Sequence, residues 1–232
     1  MHKEKIIISS ELAYLLANIT LSFSVAMIAI TDFGVSMIVA PAYILSQKLG
    51  FLTFGQSEYV VQALLFIVFC ILMKKLKAVY FCSFITGLIY GFMLDLWRMV
   101  PIFNQNLTSA QDLSIVVRII FFTVGMLLTS FSIAMFFKTY LYPQVYDFFV
   151  KGISYRFSIS RTKFKTCFDI SCLIVSVIMS LALFGGFVGV NVGTLIMAVI
   201  NGTIIGFFSK FLDKHFEFVP TFKKFAKHFE LD

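Results

Sequence analysis

The sequence predicts an all-α polytopic membrane protein with six transmembrane helices, and three observations predict it. Of 232 residues, 59% are hydrophobic and 13% charged, against about 45–50% and about 25% in average soluble chains. Six stretches approach the roughly 20 apolar residues that a spanning helix needs. Lys and Arg fall almost wholly into alternate connections, which is the bias that orients helices in a bilayer.

The first segment, Ser10–Thr31, is too long for the core of a cleavable signal, and no small-residue cleavage site follows it. Residues Ser36–Gly50 are apolar but short of a span, with Pro41 near their start. Proline suits the first turn of a helix, so this stretch reads as a short amphipathic or re-entrant helix. Ser57–Met73, Ala78–Trp97 and Leu113–Phe137 are the next three spans. Pro143–Phe157 is a second short proline-led element. Cys167–Phe184 and Phe187–Ser209 complete the six, joined by a glycine-rich turn at Gly185, Gly186 and Gly189. The tail, 210–232, mixes Phe with Lys and His from Phe211 to Phe229. It reads equally as an amphipathic cytoplasmic helix on anionic lipid or as a solvated basic tail.

Of the 19 Lys and Arg, 16 fall on one side: Lys3, Lys5, Lys74, Lys75, Lys77, Lys138, Lys151, Arg156, Arg161, Lys163, Lys165 and five in the tail. Lys48, Arg98 and Arg118 fall on the other. The split places both termini in the cytoplasm. The net charge of +7 comes from basic residues lying between apolar runs, so the expected partner is the lipid bilayer and not nucleic acid.

Cys70, Cys82, Cys167 and Cys172 form no CxxC pair, and His2, His215 and His228 lie near the termini. No zinc, redox, nucleophile-elbow or phosphate-loop motif is present. The expectation is a protein that is not an enzyme, with no metal and no cofactor.

The chain repeats itself. Ser22–Met27 (SFSVAM) recurs as Ser130–Met135 (SFSIAM), an offset of 108. Pro41-Ala42-Tyr43 answers to Pro143-Gln144-Val145-Tyr146, Glu58 to Asp169, and Gly87–Phe92 to Gly202–Phe207, in the same order. One membrane domain, 1–232, thus holds two three-helix repeats, about 10–97 and about 113–209. Because three is odd, the second copy enters from the opposite face, giving an inverted topology. This architecture is common among secondary transporters, whose sites lie near the midplane where the halves meet.

The candidate substrate-binding residues follow. Pro41, Tyr43, Pro143 and Tyr146 mark the interrupted elements, whose helix ends suit an anionic group or merely fix register. Asn18, Gln62, Asn191 and Asn201 are polar within spans, and Glu58 and Asp169 are acids about one turn inside theirs. Polar groups at that depth are costly and mark functional sites. The asparagines serve equally as interhelical hydrogen-bonding groups, and the acids as charges at helix starts. The spacings Gly87/Gly91 and Gly202/Gly206 predict close helix packing.

Pro41-Ala42-Tyr43-Ile44-Leu45 with Leu49-Gly50, and Pro143-Gln144-Val145-Tyr146-Asp147 with Lys151-Gly152-Ile153, resemble the proline, aromatic and glycine pattern of the bacterial YczE/YitT-like membrane proteins. Here Ala42 and Gln144 follow the prolines, with the tyrosines displaced. The resemblance implies the architecture and an inner-membrane location, and carries no functional residue with it.

The leading expectation is a small secondary transporter or permease of an unidentified small-molecule ligand, working by alternating access, with a homodimer compatible with so small a protomer. The alternatives are a substrate-capture subunit of an energy-coupling-factor importer, docking through Ala13-Tyr14-Leu15-Leu16-Ala17, or a non-transporting membrane accessory factor.

Overall fold

A computed structural model describes residues 5–74 and 78–227. Lys3, Lys75, Lys77, His2, His228 and the last residues of the tail lie outside the described residues. The chain is mostly helical: β1 (Ile6–Ser9), α1 (Ser10–Ala29), α2 (Ala40–Lys48), α3 (Phe54–Met73), α4 (Phe81–Arg98), α5 (Ile115–Phe136), α6 (Val145–Arg156), α7 (Arg161–Phe184), α8 (Val192–His215), β2 (Phe216–Val219) and α9 (Lys223–Ala226). Five of these, α1, α3, α5, α7 and α8, are long and apolar enough to cross a membrane. α4 has 18 residues, with Asp95 and Arg98 in its last turn.

Local chemistry fixes the helix ends. Ser9 caps α1 by accepting from the Leu12 N–H, and Thr53 with Gln56 forms a capping box on α3. Gly185 ends α7 with φ +69, the left-handed conformation that glycine adopts without a Cβ penalty. The sixth segment starts at Val192 rather than Phe187, because Gly189 turns at φ +74 and Asn191 caps the helix.

Contacts along the helices give their directions. Tyr14 meets Thr86 and Phe23 meets Trp97, so α1 and α4 run parallel. Phe122 lies against Gly193 and Ser130 meets Asn201, so α5 and α8 run parallel. These two pairs oppose each other: Arg118, at the start of α5, donates to Thr31 O beyond the end of α1, and Tyr140, beyond α5, donates to Glu11 at the start of α1. α3 passes from α2 (Tyr43 on Phe54) to α6 (Phe69 on Phe148). α7 passes the other way, from α6 (Phe168 on Phe149) towards α2, whose Lys48 Nζ donates to Leu183 O.

The two short helices therefore occupy opposite ends of the bundle. Neither lies on a surface: Pro41, Ala42, Tyr43 and Ile44 of α2, and Tyr146, Phe148, Phe149 and Ile153 of α6, are buried. The interfacial, amphipathic form of the expectation gives way here to short helices packed inside the protein.

The fold is not wholly α. β1 pairs with β2 in parallel, Ile6 opposite Phe216 to Ser9 opposite Val219. The tail after Lys210 continues α8 to His215, then forms β2 and the single turn α9. It is anchored rather than free, because Glu11 accepts from the N–H groups of Thr221 and Phe222 at 3.1 and 3.0 Å. Burial and the Glu11 carboxylate push the Tyr140 hydroxyl up to about 12.

The two glycine pairs differ. A Cβ on Gly91 would lie 2.9 Å from Gly55 O and against the Tyr59 ring, so α3 and α4 are in close contact. Gly202 and Gly206 face open space. Their predicted packing is absent from the described residues, because α7 and α8 do not pack along their length.

Candidate functional site

A cavity of ≈ 480 Å³ is walled by α1, the 36–39 turn, Tyr90 of α4, α5, α6, α7 and α8. At the α2 end it is sealed. The turn after α1 folds over the start of α8, with the Val35 N–H on Gly189 O, the Gly193 N–H on Phe33 O, and Thr194 Oγ1 donating to Val35 O. Beside it, Gln105 ties three elements together: its Nε2 donates to Ala29 O and to the Tyr43 hydroxyl, and its Oε1 accepts from Arg98. Asp95 holds the start of α3 through Thr53 Oγ1 (2.6 Å) and the Gly55 N–H (2.8 Å).

Two polar groups face the cavity. In the first, Lys165 Nζ lies 2.8 Å from Asp169 and 3.7 Å from Asp147. The i,i+4 spacing puts Lys165 and Asp169 on one face of α7, and Asp147 is in the first turn of α6. In the second, α6 presents Gln144 and Tyr146 against α3. The Tyr146 hydroxyl donates to Glu58 Oε2 at 2.8 Å, and Gln62 Nε2 reaches Glu58 at 3.2 Å and Gln144 Oε1 at 3.3 Å. Asn201, on the far wall, accepts from Ser130 Oγ.

Several members of the second group are incomplete. Glu58 Oε1, Gln62 Oε1, Gln144 Nε2 and the Tyr90 hydroxyl are buried with no hydrogen-bond partner among the described residues. Leaving a buried polar atom unpaired costs about 1–3 kcal/mol, so four in one place set a strong demand for a further partner. Gln144 and Tyr90 line the cavity and are only 7% and 1% exposed.

The structure sorts the sequence candidates. Pro143, Tyr146, Asp169 and Asn201 line the cavity, and Glu58 and Gln62 stand directly behind it. Asn18 is buried in α1 with its Nδ2 on Tyr14 O. Pro41 and Tyr43 belong to the α2-end seal. Asn191 is an exposed helix cap whose Nδ2 donates to Asp32 O, not a residue within a span. Asp169 lies two turns inside α7, not one. Sequence reasoning passed over Tyr90, Gln144, Asp147 and Lys165 as site residues. The i,i+4 Lys–Asp pair at the start of an apolar helix was the available signal for two of them. The start of α6 does not present a free positive dipole to an anion, because Asp147 already answers it.

Among the described residues no three His, Cys, Asp or Glu side chains gather as metal ligands. No curated protein and no solved structure matches the chain. A family model matches residues 8–210, and the chain therefore belongs to DUF6198, a family of unknown function.

Proposed function

We propose that the protein is a six-pass carrier of the bacterial cell membrane that moves a small molecule through the central cavity by alternating access between inverted repeats. The observation that carries the reading is a cavity at the junction of the halves whose wall holds buried, unpartnered polar atoms. Transport sites in inverted-repeat proteins occupy that position.

Three further features support it. The parallel pairing of β1 with β2 brings the start of α1 and the end of α8 to one end, which favours an even number of passes with α4 as the sixth. The packing follows a two-fold exchange: α1 with α4 answers to α5 with α8, and α3 with α6 answers to α7 with α2. The close α3–α4 pair and the separated α7–α8 pair are the asymmetry that one state of a rocking carrier has. The basic excess at the α6 end and the termini supports a cytoplasmic position for them. The likeness to YczE/YitT-like proteins rests on the same proline-led segments.

The docking face of the capture-subunit alternative is filled within the chain: Ala13 and Ala17 are fully buried against Ala134, Met135 and Leu212. The carrier reading is tested by a thermal-shift screen of purified protein against a bacterial metabolite extract, followed by counterflow of the stabilising compound in liposomes. A ligand at a hundred times its dissociation constant stabilises by about 2.7 kcal/mol. Counterflow lost in Asp169→Asn supports the reading. Stabilisation without counterflow overturns it in favour of an accessory or capture role.

A further inference from the structure

The cavity carries an unbalanced charge and an opening, and together they define a ligand class. Lys165 is shared between two carboxylates, Asp147 and Asp169, so the charged side chains of the wall sum to one negative charge. Most of the remaining lining is apolar, including Leu21, Val25, Ile133 and Met197. The unpartnered Tyr90 hydroxyl supplies an acceptor oxygen in the same wall.

The exposed lining residues show where the wall is missing. Thr166 on α7, and Ala198 and Gly202 on α8, both line the cavity and are exposed. They lie on two helices that do not pack along their length. With a rise of 1.5 Å per residue, Gly202 stands roughly 15 Å into α8, about half of a ~30 Å hydrocarbon core. The helix surfaces around the gap are apolar, with Ile170, Ile174, Leu195 and Val199 exposed. At mid-depth, then, the gap opens onto lipid tails rather than water.

We propose that the cavity takes a cationic amphiphile, whose ammonium head sits beside Asp147, the carboxylate farther from Lys165, and whose apolar body leaves between α7 and α8 into the bilayer. This rests on the reading of the cavity as the ligand site and names its substrate class.

The test uses the full chain in phosphatidylcholine nanodiscs, with the thermal-unfolding midpoint as readout. The probes are dodecyltrimethylammonium, dodecyl sulfate and tetramethylammonium. Dodecyltrimethylammonium is expected to raise the midpoint saturably, dodecyl sulfate to give no saturable rise, and tetramethylammonium to bind at least tenfold more weakly. Asp147→Asn, at the longer of the two ion-pair distances, should weaken the dodecyl cation at least tenfold. Gly202→Trp has open space for its side chain. It should weaken the dodecyl cation tenfold and leave tetramethylammonium unchanged. Equal effects of dodecyl sulfate and the dodecyl cation overturn the charge assignment. Equal binding of the two cations, with Gly202→Trp silent, overturns entry from the bilayer while leaving the cavity as a site. No saturable shift with any probe overturns the amphiphile, and a metabolite screen that is also blank overturns the site itself.

Discussion

The Tyr146 hydroxyl donates to Glu58 Oε2 at 2.8 Å, linking the short helix of the second half to a long helix of the first. The bond is wholly buried and joins residues 88 positions apart. Tyr146→Phe removes the donor and leaves the Glu58 carboxyl with Gln62 alone, an expected loss of about 1–3 kcal/mol. Combining it with Glu58→Gln in a double-mutant cycle, read by reversible unfolding in detergent, should give a coupling of about 0.5–3 kcal/mol. Additive losses would mean that the two side chains do not act on each other.

Glycines at matching places in the two halves should respond with opposite signs. Gly91→Ala forces a methyl against Tyr59 and Gly55 O, and overpacking of this kind costs about 1–3 kcal/mol. Gly206→Ala meets nothing and should be neutral or stabilising by up to about 1 kcal/mol, since alanine is the better helix former. Unfolding midpoints of the two variants decide it. Destabilisation by Gly206→Ala would place α7 against α8 in the membrane.

These contrasts mark what the sequence made legible. Length and hydropathy sufficed for the long helices, and Pro41 and Pro143 sufficed to locate the short ones, because both signals are local. That α2 and α6 are buried is set by what packs over them, such as Phe54 on Tyr43 and Phe69 on Phe148, and no local pattern carries that. The GxxxG spacing read identically at both sites, although only one is packed. At the cavity, Asp169 and Asn201 were found as polar residues within spans, and Tyr146 as part of a proline-led element. Gln144 and Tyr90 were missed because their significance is a missing partner, visible only once the surrounding atoms are placed.

The two short helices should label from opposite compartments. With the native cysteines replaced, Gly50→Cys beyond α2 and Tyr155→Cys near the end of α6 are both exposed positions. A membrane-impermeant maleimide added to intact cells should label Gly50→Cys, and Tyr155→Cys only after permeabilisation. Labelling of both from one side would end the inverted-repeat reading.

Gln105 should act as a latch on the sealed end. Its amide bridges Ala29 O, Tyr43, Arg98 and Gln47, so Gln105→Ala removes all four bonds at once. In a cysteine-free background carrying Ser36→Cys on the cavity wall, the added change should speed maleimide labelling from the α2 side several-fold. An unchanged rate would show that the seal depends on the 33–35 turn alone.

Glu11 should hold the termini together. It accepts from Ser9, Tyr140, Thr221 and Phe222. Glu11→Ala should cost about 1.5–3 kcal/mol, the range for bonds to a charged group, and should expose the tail to trypsin at Lys223 and Lys224. The Tyr140 hydroxyl is pushed up to about 12, above its usual value of about 10. Its share of the stability is therefore complete below about pH 10 and disappears as pH climbs through 12. Tyr140→Phe should flatten that alkaline loss.

The parallel alignment of Ile6–Ser9 with Phe216–Val219 also sets an order of events during biosynthesis. The first strand is made before α1, and its partner only after α8. A contact of such long sequence separation is among the slowest to close. An intermediate halted at any earlier stage keeps a bare strand edge of three isoleucines beside the membrane. Closure of that edge distinguishes a finished molecule from an arrested one.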